Sequence, residues 1–265
     1  PRRRYRLPPM PPLPAGARRR LRDKALAASR RLSTGPEWER HVRDEFALLA
    51  PCQGWREQVV DGFHELYYEQ GEAGGTWKDT TWLGVPTWKV PLDLWVYQEL
   101  LFRLGPELIV ETGTAHGGSA LYLATLCEAL GRGEVVSVDI GHWPDRPAHP
   151  RLTYLTASST DPAAVAQVAE RAGRAEGVLV VLDSDHRRDH VLAELRAYAD
   201  LVTPGSYLVV EDTNVNGHPV FEAFGPGPME AVQDFLKERD DFEVDRSREK
   251  FLFTFNPGGW LRRRG

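Results

Sequence analysis

The sequence predicts a doubly wound α/β fold, a mostly parallel sheet that ends in an antiparallel hairpin, behind an N-terminal helical extension. Three observations carry this. From Leu92 onward, strand-sized apolar runs alternate with helix-length segments. Those runs, such as 178–182, lack the two-residue alternation of a half-exposed strand, which is what burial on both faces by crossover helices produces. The last two runs, 242–247 and 250–255, lie too close together for a parallel crossover and must pair antiparallel.

The elements follow in order. Residues 1–16 are too proline-rich for a helix and read as an extended arm. Residues 17–33 and 37–70 carry helix-compatible patterns, with Phe46, Leu49, Val59, Phe63, Leu66 and Tyr67 at spacings suited to apolar helix faces. A Gly/Thr/Trp stretch, 71–91, then brings Trp77, Trp82 and Trp88, broken by Gly84, Pro86 and Pro91. Core packing is expected for at least two of these tryptophans, and an acceptor-site wall for the rest. Beyond it, 92–104 reads as a helix, 107–111 as a strand, 119–130 as a helix, and 134–139 and 152–156 as strands. Helix 162–172, strand 177–183, helix 190–201, strand 206–212 and helix 228–238 complete the alternation. The division is therefore an N-terminal region, 1–91, and a catalytic domain, 92–265.

Composition narrows the class. A chain of 265 residues, 42% hydrophobic and 27% charged, supports one substantial core with an appendage. Cys52 and Cys127 form no C-x-x-C pair, so neither a disulfide framework nor a thiolate zinc site is indicated. No apolar run approaches the length of a membrane span, and the Arg-rich start lacks the apolar core of a secretory signal; a cytoplasmic protein without a membrane partner is the expectation. Net charge is −5, yet residues 1–31 hold eleven Arg/Lys against the single acid Asp23, which leaves an acidic body behind a basic arm. Basic residues confined to the termini disfavour nucleic acid as a partner.

In open α/β sheets ligands bind beyond the carboxyl ends of the strands, so the residues just after each strand carry the chemistry. After the first strand stands Glu111-Thr112-Gly113-Thr114-Ala115-His116-Gly117-Gly118-Ser119. Its glycines permit a tight turn and close approach to backbone at a helix start. The spacing is not G-x-G-x-x-G, and a strand ending in Glu111 would repel a diphosphate. S-adenosylmethionine, which has no phosphate and carries a cationic sulfonium and ammonium, tolerates the acid. Asp139, after the second strand, is placed to accept hydrogen bonds from ribose hydroxyls. The expected cofactor contacts are Glu111, Thr112, Gly113, Thr114, Gly117, Ser119, Asp139 and Asp183.

After the fourth strand come Asp183-Ser184-Asp185-His186, and after the fifth Glu211-Asp212-Thr213-Asn214. Parallel neighbours lie about 5 Å apart, so the two acidic clusters face each other at one rim and would repel strongly unless a cation joined them. Carboxylate oxygens suit magnesium. Asp183, Glu211 and Asp212 are the expected ligands, with Asp185 the alternative. A metal there would orient an acceptor hydroxyl and lower its pKa. His186 beside Asp183 is the expected general base, with His190, His116 and His142 as competitors. The loop 213–228, with Phe221 and Phe224 between glycines, is expected to wall the acceptor site.

As an ordered set, TWKDTTWLGVPTWKVPLDLWVYQELL (76–101), IVETGTAHGGSA (109–120), VVSVDI (135–140), VLDSDH (181–186) and VVEDTNVNG (209–217) resemble the family named for cephalosporin hydroxylase and rhamnosyl O-methyltransferase. The resemblance spans roughly 76–255. It implies the Rossmann-like class I methyltransferase fold, cofactor contacts at Glu111, Gly113, Ser119 and Asp139, and metal contacts at Asp183, Glu211 and Asp212. It further implies homo-oligomers joined through the N-terminal segment, and small-molecule acceptors such as sugars or macrolides. With the Arg-, Ala- and Gly-rich composition, the expectation is O-methylation of a deoxysugar, a nucleotide-linked rhamnose of an antibiotic pathway. The rivals are a macrolide or catechol-like phenol acceptor, a nicotinamide-dependent oxidoreductase, and a non-catalytic hydroxylase accessory protein.

Overall fold

The computed structural model describes residues 54–69, 76–143 and 145–265. The proline-rich arm and most of the helical preface, expected to join subunits, lie outside the described residues. Residues 57–265 form one compact unit. The first described helix is α1 (Trp55–His64), which runs into a π turn at Glu65–Glu69. After a 3₁₀ turn at Thr76–Asp79, the short strands β1 (Thr81–Trp82) and β2 (Val85–Pro86) pair antiparallel.

Helix α2 (Pro91–Leu104) follows, with Pro91 at its first turn and Gly105 closing its end in the left-handed conformation. The α/β alternation then reads β3 (Leu108–Thr112), α3 (Gly118–Ala129), β4 (Glu134–Asp139), β5 (Leu152–Thr156), α4 (Pro162–Ala172), β6 (Val178–Leu182), α5 (Arg188–Tyr198), β7 (Tyr207–Val210), α6 (Pro228–Glu238), β8 (Phe242–Val244) and β9 (Trp260–Arg263). Strand order in the seven-stranded sheet is β5-β4-β3-β6-β7-β9-β8. The first five are parallel, and β9 runs antiparallel between β7 and β8. The order reverses between β3 and β6, which opens the crevice for a ligand there.

Successive residues of each strand supply opposite faces, and each face has its own core. Val110, Val138, Val180 and Val210 pack under α4, α5 and α6, whereas Ile109, Val135, Val181 and Val209 pack under α2 and α3. Buried Val and Ile at both phases explain why the strands show no alternation in sequence. No described helix is long and apolar enough to cross a membrane.

One element differs from the sequence reading. The terminal antiparallel pair is present, but its second member is β9 at Trp260–Arg263 and not 250–255. In 250–255 the alternating Phe251, Phe253 and Phe255 imitate a strand. The rings of Phe253 and Phe255 instead pack edge-on against Phe63, Tyr67 and Tyr68, and Leu252 sits at φ 70, which breaks an extended run. Tertiary aromatic packing meets the apolar demand that the pattern attributed to a sheet.

Candidate active site

A cavity of about 590 Å³ opens at the carboxyl ends of β3, β4, β6 and β7, within the size range of small-molecule sites. On one side it is lined by Gly113, Thr114, Ser119 and Asp139, and on the other by Asp183, His186 and Asp212. Gly113 makes this arrangement possible. Its φ is +82, and a Cβ there would stand 1.8 Å from the Asp183 carbonyl oxygen, so only glycine lets the β3 turn pass the end of β6. At the start of α3, a Cβ on Gly118 would stand 2.2 Å from the Pro86 carbonyl oxygen.

Asp139 ties the turn together. Its Oδ2 accepts from the amides of Thr114 (2.9 Å) and Ala115 (2.8 Å) and meets the Arg146 guanidinium at 2.9 Å, while Oδ1 accepts from Gly141 at 2.7 Å. Glu111, Thr112 and Gly117, expected as contacts, stand behind this wall and supply none of the residues lining the cavity. Glu111 is fully buried and accepts from Ser137 at 2.6 Å; burial pushes its carboxyl up to about 7 against the opposing pull of Lys89.

On the acidic side, the Asp183, His186 and Asp212 ligand atoms all lie within 4.8 Å of one another, a set compact enough to hold a cation. His186 Nε2 is 3.2 Å from Asp212 Oδ2. Burial pushes the Asp212 carboxyl up to about 6, with His186 opposing and the carboxylates of Asp183 and Glu211 adding to the rise. Asp185 pairs instead with Arg187 at 3.3 Å. Glu211 lies deeper, outside that compact set, its Oε1 accepting from the Tyr97 hydroxyl and facing the Lys89 ammonium at 3.1 Å. Lys89 also donates to Asp183 Oδ2 at 2.7 Å. Burial alone would lower the pKa of this ammonium, but Asp183, Glu211 and Glu111 override it and hold it above its ordinary value.

The competing histidines have other work. His190 Nε2 contacts the hydroxyls of Ser184 (3.1 Å) and Ser159 (3.2 Å), and His116 is wedged between the rings of Trp88 and Trp143, each 4.8 Å away. His142 is exposed. Among the described histidines, only His186 touches the carboxylate cluster. Two of the three tryptophans pack against core clusters as expected, Trp82 edge-on to Tyr122 and Trp77 beside Tyr68 and Phe255, while Trp77 and Trp88 line the cavity. Trp77 stacks on Tyr68 at 5.3 Å, and Tyr68 in turn touches Phe221 at 5.4 Å and has its hydroxyl pKa pushed up by burial and by the nearby Asp212 carboxylate. The loop 213–228 adds no lining residue; it approaches through Phe221 and through Gly227, near the His186 carbonyl.

Lys89, Tyr97, Tyr68 and Asn256, whose side chain accepts from the Asp212 amide at 3.1 Å, were not read as site residues from sequence.

Residues 74–264 match the family described as Rhamnosyl O-methyltransferase/CmcI. The chain belongs to that family. Membership makes it an O-methyltransferase and sets aside the oxidoreductase and accessory readings. It is 40% identical over 210 residues to the rhamnosyl O-methyltransferase of Mycobacterium tuberculosis, covering 77% of this chain and 84% of that protein. The rhamnosyl O-methyltransferase of Mycobacterium leprae is 40% identical over 214 residues, 78% of this chain and 92% of the relative. A structure of CmcI with Mg and S-adenosylmethionine shares the fold, with a TM-score of 0.57 and 19% identity over 74% of this chain and 81% of that one.

Proposed function

We propose that this family member transfers the methyl group of S-adenosylmethionine to a hydroxyl of a rhamnosyl or related deoxysugar acceptor, with magnesium held by Asp183, Glu211 and Asp212. One observation carries the reading: a single cavity places the Gly113–Ser119 turn and Asp139 opposite a compact set of cation-ligating atoms. The names of the 40%-identical relatives support rhamnose as the sugar.

The residues fit these groups. Hard carboxylate oxygens suit magnesium better than imidazole does, which favours Asp183 and Asp212 as ligands and leaves His186 beside them as a base. Glu211, with Oε1 engaged by Tyr97 and Lys89, offers Oε2. Gly113, Thr114 and Ser119 border the cofactor, and Asp139 Oδ1, with one donor, keeps capacity for a ribose hydroxyl. When bound, magnesium supplies a Lewis acid that orients the acceptor hydroxyl and lowers its pKa.

With its Nε2–H directed at Asp212, His186 takes the hydroxyl proton on Nδ1 as the acceptor oxygen bonds to the methyl carbon. The carbon–sulfur bond breaks with its electron pair passing to sulfur, which releases S-adenosylhomocysteine. Asp212, 3.2 Å away, stabilises the imidazolium that forms. Trp77 and Trp88 offer apolar faces against which a pyranose ring stacks.

The test is methyl transfer from tritiated S-adenosylmethionine to a panel containing phenyl rhamnoside, TDP-rhamnose, a macrolide glycoside and catechol. Label in a rhamnosyl acceptor, lost with chelator and restored by magnesium, is the expected outcome. Label in catechol alone, or in no sugar, overturns the acceptor. Competition between the two rhamnosyl compounds identifies the carrier of the sugar and tests the link to a nucleotide-sugar pathway.

A further inference from the structure

Asp212 adopts a backbone conformation that its own position does not explain. Its φ is +54, in the left-handed region, where a residue with a Cβ is strained. Just past β7, Glu211 donates to the Leu182 carbonyl at 2.9 Å, and at Asp212 the chain leaves the sheet, so its part-buried amide loses a strand partner. The side chain of Asn256 supplies one. Asn256 is 0% exposed, and its Oδ1 accepts the Asp212 N–H at 3.1 Å.

Asn256 is itself fixed. Its amide donates to Thr254 Oγ1 at 3.0 Å, and its carbonyl accepts from Gly259 at 2.9 Å. The surrounding turn grips the strand end on both sides of Asp212: Gly259 O accepts from Val210 (2.9 Å), Pro257 O from the Thr213 hydroxyl (2.9 Å), and Phe255 O from Asn214 (3.2 Å). Those bonds hold the neighbours. The bond that fixes the amide of Asp212, and with it the direction of the Asp212 side chain, comes from Asn256 alone among the described residues. Asn256 contributes nothing to the cavity lining, so it acts only through Asp212.

We infer that Asn256 is a positioning residue for the metal site, its side-chain oxygen holding Asp212 in the left-handed turn that brings the carboxylate beside Asp183 and His186. The inference rests on the proposed role of Asp212 as a metal ligand. It explains why an asparagine stands in the turn Asn256-Pro257-Gly258-Gly259 at a position with no access to substrate.

The experiment uses the full chain and Mn²⁺ alone as probe, with free Mn²⁺ followed by EPR and S-adenosylhomocysteine binding measured separately by calorimetry. Asn256→Leu removes the acceptor at similar volume, and Asn256→Asp keeps an oxygen in place. Asn256→Leu is expected to raise the Mn²⁺ Kd at least about tenfold, in the range found when groups orienting a metal ligand are lost. Asn256→Asp is expected to stay within about threefold of the parent, and both variants to keep their cofactor affinity within about twofold. Asn256→Leu binding Mn²⁺ like the parent, or Asn256→Asp losing as much as Asn256→Leu, overturns the inference. Should Asn256→Leu fail to fold, Asn256→Ser, whose hydroxyl is too short to reach the Asp212 amide, takes its place with the same expected loss. Asp212→Asn separates the two levels: if it retains Mn²⁺, the ligand role of Asp212 fails and the inference with it, whereas loss in Asp212→Asn but not in Asn256→Leu defeats the inference alone.

Discussion

The two sides of the cavity are built in different ways. The cofactor side comes from one continuous stretch, 113–119, held by Asp139, Ser137 and Arg146. The acidic side is assembled from Lys89, Tyr97, Asp183–His186, Glu211–Asp212 and Asn256, which are far apart in the chain. A contiguous wall depends on backbone shape, so a change there disturbs everything that leans on it. An assembled wall depends on charge, so losing one member should leave the other wall intact.

The largest expected effect tests that independence. Asp212→Asn should lower kcat by about 1,000-fold, the several kcal/mol a Lewis acid contributes, while the Kd for S-adenosylhomocysteine moves less than about threefold. Equal loss of both in stopped-flow and calorimetric assays would show that the walls are not separable. Gly113→Ala probes the reverse case. A methyl group directed at the Asp183 carbonyl from a left-handed residue should cost on the order of 3 kcal/mol in denaturant unfolding and weaken cofactor and metal together. Unchanged stability would mean that β3 and β6 approach less closely than described.

His186→Ala should reduce kcat by about 100-fold with the Mn²⁺ Kd within about threefold. A collapse of metal affinity in that variant would make His186 a ligand. The smallest effect concerns Glu111. Burial raises its pKa from 4.5 to about 7, so the folded chain holds a proton that the unfolded chain releases near 4.5. Its contribution to stability is therefore greatest below pH 4.5 and declines as pH rises to about 7. Glu111→Gln should flatten the Tm profile across that interval, and an unaltered slope would show that Glu111 titrates normally.

The same contrast explains what could be read from the amino acids. The parallel sheet was visible because strands buried on both faces leave continuous Val/Ile/Leu runs, and the bounds read for helix 162–172 match the structure, where Asp161 caps it ahead of Pro162. The carboxylates were visible because each closes a recognisable strand. Lys89 and Tyr97 were not, since a lysine before a helix and a tyrosine within one look like ordinary solvent-facing and core residues until the fold sets them against Glu211. Asn256 was hidden further by the false strand at 250–255, whose aromatics answer to α1 and the π turn after it and not to a sheet neighbour. Local pattern reports local structure; a site made from distant segments becomes legible only with the topology in hand.

Metal-assisted transfer requires the two walls to serve one reaction centre. Pulsed EPR on the protein loaded with Mn²⁺, phenyl rhamnoside and S-adenosylmethionine carrying a ¹³C methyl group measures this directly. Reacting atoms roughly 3.3 Å apart, with a metal–oxygen distance of roughly 2.1 Å, put the labelled carbon within about 5.5 Å of the metal, and a resolved ¹³C coupling is the expected result. Absence of coupling with both ligands demonstrably bound would mean that the cation and the methyl donor occupy separate places, and metal-assisted transfer would have to be abandoned.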